Sequence, residues 1–193
     1  MALVIGVMIF MYDFIGFELK DKLGKEKESQ IIFLTEVYSK DVNNKKHCLV
    51  VDVSKNKNEF KKTGNYGCYV GARVSSLKDV FFCLDKKLDF IINPFNYKTK
   101  FFDNSTITVM KQRGLCPLVF IDEYLNLSRG QQIGFLKNAF LLVDLAKKQS
   151  IPVFIASGAK EPWQVIYNNE FLYPLFNIKI EQANNFFNIL ERK

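Results

Sequence analysis

Six polar residues end or follow apolar runs in this sequence: Asp13, Asp52, Asn93, Asp122, Glu123 and Ser157. If those runs are strands of an α/β fold, these side chains lie at strand C-terminal ends, where such folds build their sites. Asp13, Asp52 and Asp122 are then candidate metal ligands of a barrel phosphoesterase, and Ser157 is a candidate nucleophile. Both chemistries lack partners. The chain holds a single histidine, His47, at the start of an apolar run and so at the wrong end of its strand. A histidine-rich hydrolytic metal site cannot be assembled from it. Ser157 stands in Ala156-Ser157-Gly158 rather than in a G-x-S-x-G elbow, and no second histidine is available as its base, though a lysine could substitute. Asp122 and Glu123 are adjacent, so in a strand they face opposite sides; otherwise they sit in the loop leading to Ser128. No Walker A sequence and no G-x-G-x-x-G occurs, and Gly64, Gly67 and Gly71 do not lead directly into a helix.

The basic residues are better grouped. Lys55, Lys57, Lys61 and Lys62 share one polar stretch. Lys98 and Lys100 interleave with Asn96, Tyr97, Phe101 and Phe102. Lys111 and Arg113 close one helical pattern, Arg129 opens another, and Lys160 stands near Trp163. Cations contact phosphates and aromatic rings stack on unpaired bases, so Lys98, Lys100, Arg113, Arg129, Lys160 and Trp163 are the candidate RNA contacts. The plainer reading keeps Phe101, Phe102 and Trp163 as core or interface anchors and the lysines as a solvated face.

Length and composition set the frame. The 193 residues suit one domain spanning the chain, and a 48% hydrophobic content with 19 phenylalanines is that of a globular core. A net charge of +7 suits a polyanionic partner. The four cysteines, Cys48, Cys68, Cys83 and Cys116, show no metal or redox spacing and read as free thiols in a reducing cytoplasm. The apolar run from Met1 to Tyr12 has no preceding basic residue and is shorter than the roughly 20 residues of a membrane span, so it reads as a buried strand.

These residues need a scaffold, and the runs supply one. Candidate strands are Val4–Met11, Ile31–Val37, Cys48–Val53, Cys68–Ala72, Phe90–Asn93, Leu118–Ile121, Val153–Ala156 and Phe176–Ile180, most of them apolar on both faces as in a covered parallel sheet. Helices separate the later ones. Ser76 with Asp79 predicts a capped helix whose stripe is Leu77, Val80, Phe81 and Leu84. Asn104 or Ser105 caps a short helix that stops at Gly114. Ser128 with Gln131 caps the longest, with the stripe Leu136, Ala139, Phe140 and Val143, and a last helix carries Ala183 to Leu190. Up to eight strands with helices between them predict a compact α/β fold of the (β/α) TIM-barrel kind. It must be trimmed, because a usual barrel takes about 250 residues.

Several weak motifs in a fixed order then carry a resemblance. Asp89-Phe-Ile-Ile-Asn-Pro-Phe95, a polar loop, Asn104 to Met110, Gly114 to Phe120, a helix from Arg129 to Lys148, and Val153 to Ala159 follow one another. That order is similar to the central part of archaeal ribonuclease P protein component 3, the relative of the thirty-kilodalton subunit of the eukaryotic enzyme. The likeness runs from about Tyr69 to Phe187, and Asp13-Phe14 matches the family's N-terminal aspartate. It departs where the family has Arg-x-Pro-x-Asp, for Ile166 to Glu170 hold neither the arginine nor the proline.

The resemblance implies a barrel related to polymerase-and-histidinol-phosphatase-type phosphoesterases, without their metal site. It implies a cytoplasmic, non-catalytic subunit of ribonuclease P that binds no cofactor itself. The ribonuclease P RNA would cleave the 5′ leader of precursor tRNA with magnesium, and a small α/β protein subunit would pair with this chain, with no membrane involved. A metal-dependent phosphoesterase and a protein–protein scaffold without RNA are the alternatives.

Overall fold

The computed structural model describes residues 13–16, 31–35, 47–55, 68–86, 88–158 and 172–178. Seven strands form one sheet in chain order: β1 (Asp13–Gly16), β2 (Ile31–Thr35), β3 (His47–Asp52), β4 (Tyr69–Arg73), β5 (Phe90–Ile92), β6 (Cys116–Phe120) and β7 (Phe154–Ala156). Every neighbouring pair is parallel. Four helices fill the later crossovers, α1 (Leu77–Leu84) after β4, α2 (Asn104–Arg113) after β5, and α3 (Asp122–Leu125) with α4 (Arg129–Lys148) after β6; α5 (Leu172–Leu175) follows β7.

Each crossover moves one strand along in the same direction, the winding of a (β/α) barrel. Among the described residues no pairing joins β7 to β1, so the architecture shown is a seven-stranded parallel α/β sheet in barrel order, not a closed barrel. The strand expected at Val4–Met11 and the helix at Ala183–Leu190 lie outside the described residues. The strand expected at Phe176–Ile180 is not formed where it is described: Phe176 and Asn177 turn after α5, with Asn177 in the left-handed region at φ 55°. None of the helices among the described residues is long and apolar enough to cross a membrane.

β5, β6 and β7 are buried at every position, as expected of parallel strands covered on both faces. Pro117 sits inside β6 without breaking it. The amides of Cys116 and Phe120 face β5 and that of Ile121 faces β7. By alternation Pro117 also faces β7, one step before β7 begins pairing at Phe154, so its missing N–H leaves the ladder intact.

Two expected helix stripes are rotated. In α1 the buried residues are Asp79, Val80, Cys83 and Leu84, while Leu77 and Phe81 are exposed. Asp79 lies on the inward face, where its Oδ2 accepts from both hydroxyls of Ser75 (3.1 Å) and Ser76 (2.7 Å). In α4 the buried set is Phe135, Ala139, Leu142, Val143 and Ala146. Phe140 is exposed and leans on Phe176, ring centroids 5.1 Å apart. The Ser128 cap is formed: Gln131 Oε1 accepts from the Ser128 N–H at 3.0 Å.

The far side of β7 is sealed by a side chain. Ala156 offers its carbonyl to β6, so Ile155 faces the other way, and its N–H donates to the hydroxyl of fully buried Tyr173 at 3.3 Å. On the side of β7 away from β6, this hydroxyl satisfies the mid-strand amide. Replacing it orphans a buried amide. Tyr173→Phe is expected to lower stability by about 1–2 kcal/mol, read as a lower urea midpoint at unchanged slope.

Candidate functional site

β5 is only three residues long, and side chains extend it at both ends. At its start Asp89 N–H donates to the Val70 carbonyl (2.9 Å), the Asp89 carbonyl accepts from Cys116 (2.9 Å), and Asp89 Oδ2 takes the Val70 N–H (3.0 Å). At its end Asn93 is buried and sits at φ 40°, a left-handed conformation that asparagine tolerates better than most residues. Asn93 Oδ1 accepts the Phe120 N–H at 3.0 Å, and Nδ2 donates to the Phe120 carbonyl at 3.4 Å. The amide of one side chain thus replaces a strand residue, and the backbone is free to leave the sheet. Asn93 is a structural residue, and its polar atoms face β6.

Two of the other strand-end candidates, Asp13 and Asp52, do not converge. Asp13 opens β1 as described, level with Ile31, and Phe33 is level with His47. Asp52 therefore lies seven residues farther along the sheet, about 23 Å at the rise of a parallel strand. Asp52 accepts from the Ser54 hydroxyl at 2.6 Å and pairs with Lys55 at 3.3 Å. Burial pushes its carboxyl up, but the Ser54 hydrogen bonds and Lys55 outweigh this and hold it below the usual range. Among the described residues no three His, Cys, Asp or Glu side chains gather to hold a metal ion. The metal-binding trio of Asp13, Asp52 and Asp122 does not fit this geometry.

Asp122 and Ser157 are both buried, and they meet through the backbone, Asp122 N–H to the Ser157 carbonyl at 2.8 Å. Gly158 permits this. It sits at φ 66°, and a Cβ there would stand 2.7 Å from Asp122 Oδ1 and 2.9 Å from the Phe120 ring. The small residues after β7 serve close approach, as their types imply. Arg73, at the end of β4, was not marked by the sequence because the expected strand stops at Ala72. Its guanidinium lies 5.6 Å above the Phe120 ring and 3.5 Å from Glu123, an ion pair exposed enough to be worth under about 1 kcal/mol.

The basic loop is more ordered than the strand ends. After Asn93 the chain forms a turn in which Asn96 Oδ1 accepts from the amides of Lys98 and Thr99, both at 2.8 Å, and Asn96 N–H donates to the Thr99 carbonyl at 2.8 Å. Phe95 and Lys100 bridge the base of the turn. The turn rests on α4, where Asn138 Nδ2 donates to the Asn96 carbonyl at 2.8 Å. Gly134 makes the seat, since a methyl group there would run into the Tyr97 carbonyl.

Lys98 and Lys100 are exposed on this turn, on the strand C-terminal side of the sheet, and exposed Arg129 opens α4 on that side. Arg113 is exposed at the end of α2, just before β6 begins, and so lies on the strand N-terminal side, apart from the other three. Lys160 and Trp163, with Lys57, Lys61 and Lys62, lie outside the described residues. Phe101 and Phe102 are buried, and Phe95 packs against Phe102 (6.4 Å) and Phe135 (5.0 Å), so these rings are core anchors and do not face a base. All four cysteines are buried and none is in a disulfide; burial pushes the Cys48 and Cys68 thiols up, keeping them protonated.

No protein-family model matches this chain. No curated protein matches it either. Among solved structures, a chain of an archaeal ribonuclease P determined by cryo-electron microscopy with mature tRNA superposes with a TM-score of 0.72 at 14% identity, over 93% of this chain and 89% of that one. That likeness shows the fold. An amidohydrolase crystal structure matches at a TM-score of 0.43 and 12% identity, over 61% of this chain and 30% of its own.

Two outcomes follow from the loop. Asn93→Ala removes both bonds to Phe120 and places alanine at positive φ, and is expected to cost about 2–3 kcal/mol in denaturant unfolding. Asp103 caps α2, accepting from the Ser105 hydroxyl (2.7 Å) and from the Thr106 amide and hydroxyl (both 2.8 Å). These bonds hold its carboxyl at about 2, below its unfolded value. A depressed carboxyl contributes stability above its unfolded pKa and loses it as pH falls through the folded one. Asp103→Ala should therefore lower Tm by about 3 °C near neutrality, and the gap to the parent should close between about pH 4 and pH 2.

Proposed function

We propose that this chain is a non-catalytic protein subunit of a ribonuclease P, working in the cytoplasm to support the catalytic RNA in 5′-end maturation of precursor tRNA. One observation carries the reading: the fold likeness to a chain of archaeal ribonuclease P extends over nearly the whole of both chains. The order of motifs from Asp89 to Ala159, similar to that of the family, supports it as well. Asp89 and Asn93 fix β5, and Gly158 closes the loop after β7 on Asp122.

In this reading the chain's contribution is electrostatic and architectural. RNA folds by packing phosphates, and a net charge of +7 reduces their repulsion and the counterion demand. Lys98, Lys100 and Arg129 offer that charge on one side of the sheet. Arg129 stands in the first turn of α4, where the helix dipole disfavours a cation, and no ion pair holds it among the described residues. A cation placed against its own helix is better accounted for by an anionic partner than by folding. Magnesium belongs to the RNA, and a small α/β protein subunit completes the assembly.

Reconstitution tests this. Purified chain alone should leave precursor tRNA intact, and adding it with its small partner subunit to the cognate ribonuclease P RNA should restore leader cleavage at several-fold lower magnesium. Cleavage by the lone chain, or an unchanged magnesium requirement in its presence, would overturn the reading.

A further inference from the structure

The turn from Asn96 to Lys100 is held more firmly than an exposed loop requires. Asn96 satisfies two of its amides, Asn138 anchors it to α4, and Gly134 removes the side chain that would otherwise push it away. Tyr97 is half-buried against the core, which fixes its ring. Lys98 Nζ then sits 5.3 Å above the centre of that ring. A free lysine side chain samples many rotamers, and ordering it is costly. Here the attraction between ammonium and ring holds the charge in one place before any ligand arrives.

The surroundings are cationic. Pro94 to Phe102 contains no acidic residue, and Asp103 directs its carboxylate to the first turn of α2. Lys100 is exposed at the base of the turn. Lys137 is exposed on α4, one residue from the anchoring Asn138.

We propose that this turn is a preformed clamp for an RNA backbone phosphate. Lys98 and Lys100 make the contact, Lys137 flanks it, and Tyr97 is the positioning residue that holds Lys98. Because Lys98 occupies a face of the tyrosine, the ring serves the cation and does not stack on a base. The contact is then indifferent to sequence, as phosphate contacts are. A preset charge binds more tightly than a floppy one because less freedom is lost on binding. The inference rests on the reading that this chain works against RNA.

The test uses the full chain and a fluorescent transcript of the cognate ribonuclease P RNA, with affinity measured across a salt series. Lys98→Ala should weaken binding and reduce the slope of log affinity on log salt by about 0.9, the loss of one phosphate contact. Tyr97→Leu should weaken binding about threefold, and Tyr97→Phe should restore it because the ring is retained. In the Lys98→Ala background, Tyr97→Leu should add nothing. Gly134→Ala, which displaces the turn, should bind as weakly as Tyr97→Leu. If the parent binds RNA but Tyr97→Phe is as weak as Tyr97→Leu, or Lys98→Ala keeps the parental slope, the clamp is wrong while the RNA reading stands. If the parent does not bind the RNA at any salt concentration, both fall.

Discussion

A strand of three residues is a poor ladder, yet the centre of this sheet depends on one. β5 joins β4 to β6, and its own backbone is too short to align both. Asp89 and Asn93 make up the length with side chains that imitate peptide groups, one at each end. Buried amides and carbonyls must find partners, so the two residues cannot be exchanged for apolar ones of similar size without opening the sheet. Their cost is conformational. Asn93 must adopt φ 40°, and that conformation directs the following chain out of the sheet and across to α4.

The interaction that closes the sheet therefore also aims the loop. Pro94 follows Asn93, Phe95 enters the core beside Phe102 and Phe135, and only then do Tyr97 and Lys98 emerge. Gly134 in α4 completes the path. A glycine inside a helix is unfavourable by about 1 kcal/mol, and its position here is explained by the Tyr97 carbonyl it admits. Gly158 answers the same kind of demand where the chain after β7 crosses Asp122. Close approach of backbone thus decides both glycine positions.

Much of this was legible in the sequence. Runs apolar on both faces marked β2 to β7 to within a few residues, and the Ser76/Asp79 and Ser128/Gln131 pairs marked two helix starts. What escaped was orientation. An apolar periodicity fixes a stripe only to within one residue's rotation, and α1, with Asp79 among its buried residues, is turned by about that much. For Phe101 and Phe102 the sequence leaves stacking platform and core anchor side by side, because sequence proximity does not tell a ring that points inward from one that points outward; both are core anchors. Arg73 escaped because it falls one residue past an apolar run, where nothing distinguishes it from a loop cation. Gly134 had no local signal, since the carbonyl that requires it belongs to Tyr97, far away in sequence.

The same physics bears on how polar residues at the strand ends of a barrel-ordered sheet become committed to structure. A catalytic end needs polar side chains left free by the fold and turned toward a common point. Here Asn93 is committed to Phe120, Asp52 to Ser54 and Lys55, Arg73 to Phe120 and Glu123, and the residues after β7 pack against Asp122. Each commitment stabilises the sheet and removes a candidate from chemistry. On the crossover after β5, cations stand exposed on a loop held by a glycine seat and an asparagine turn. The fold thus assigns its described strand ends to structure and holds cations on an ordered loop after β5.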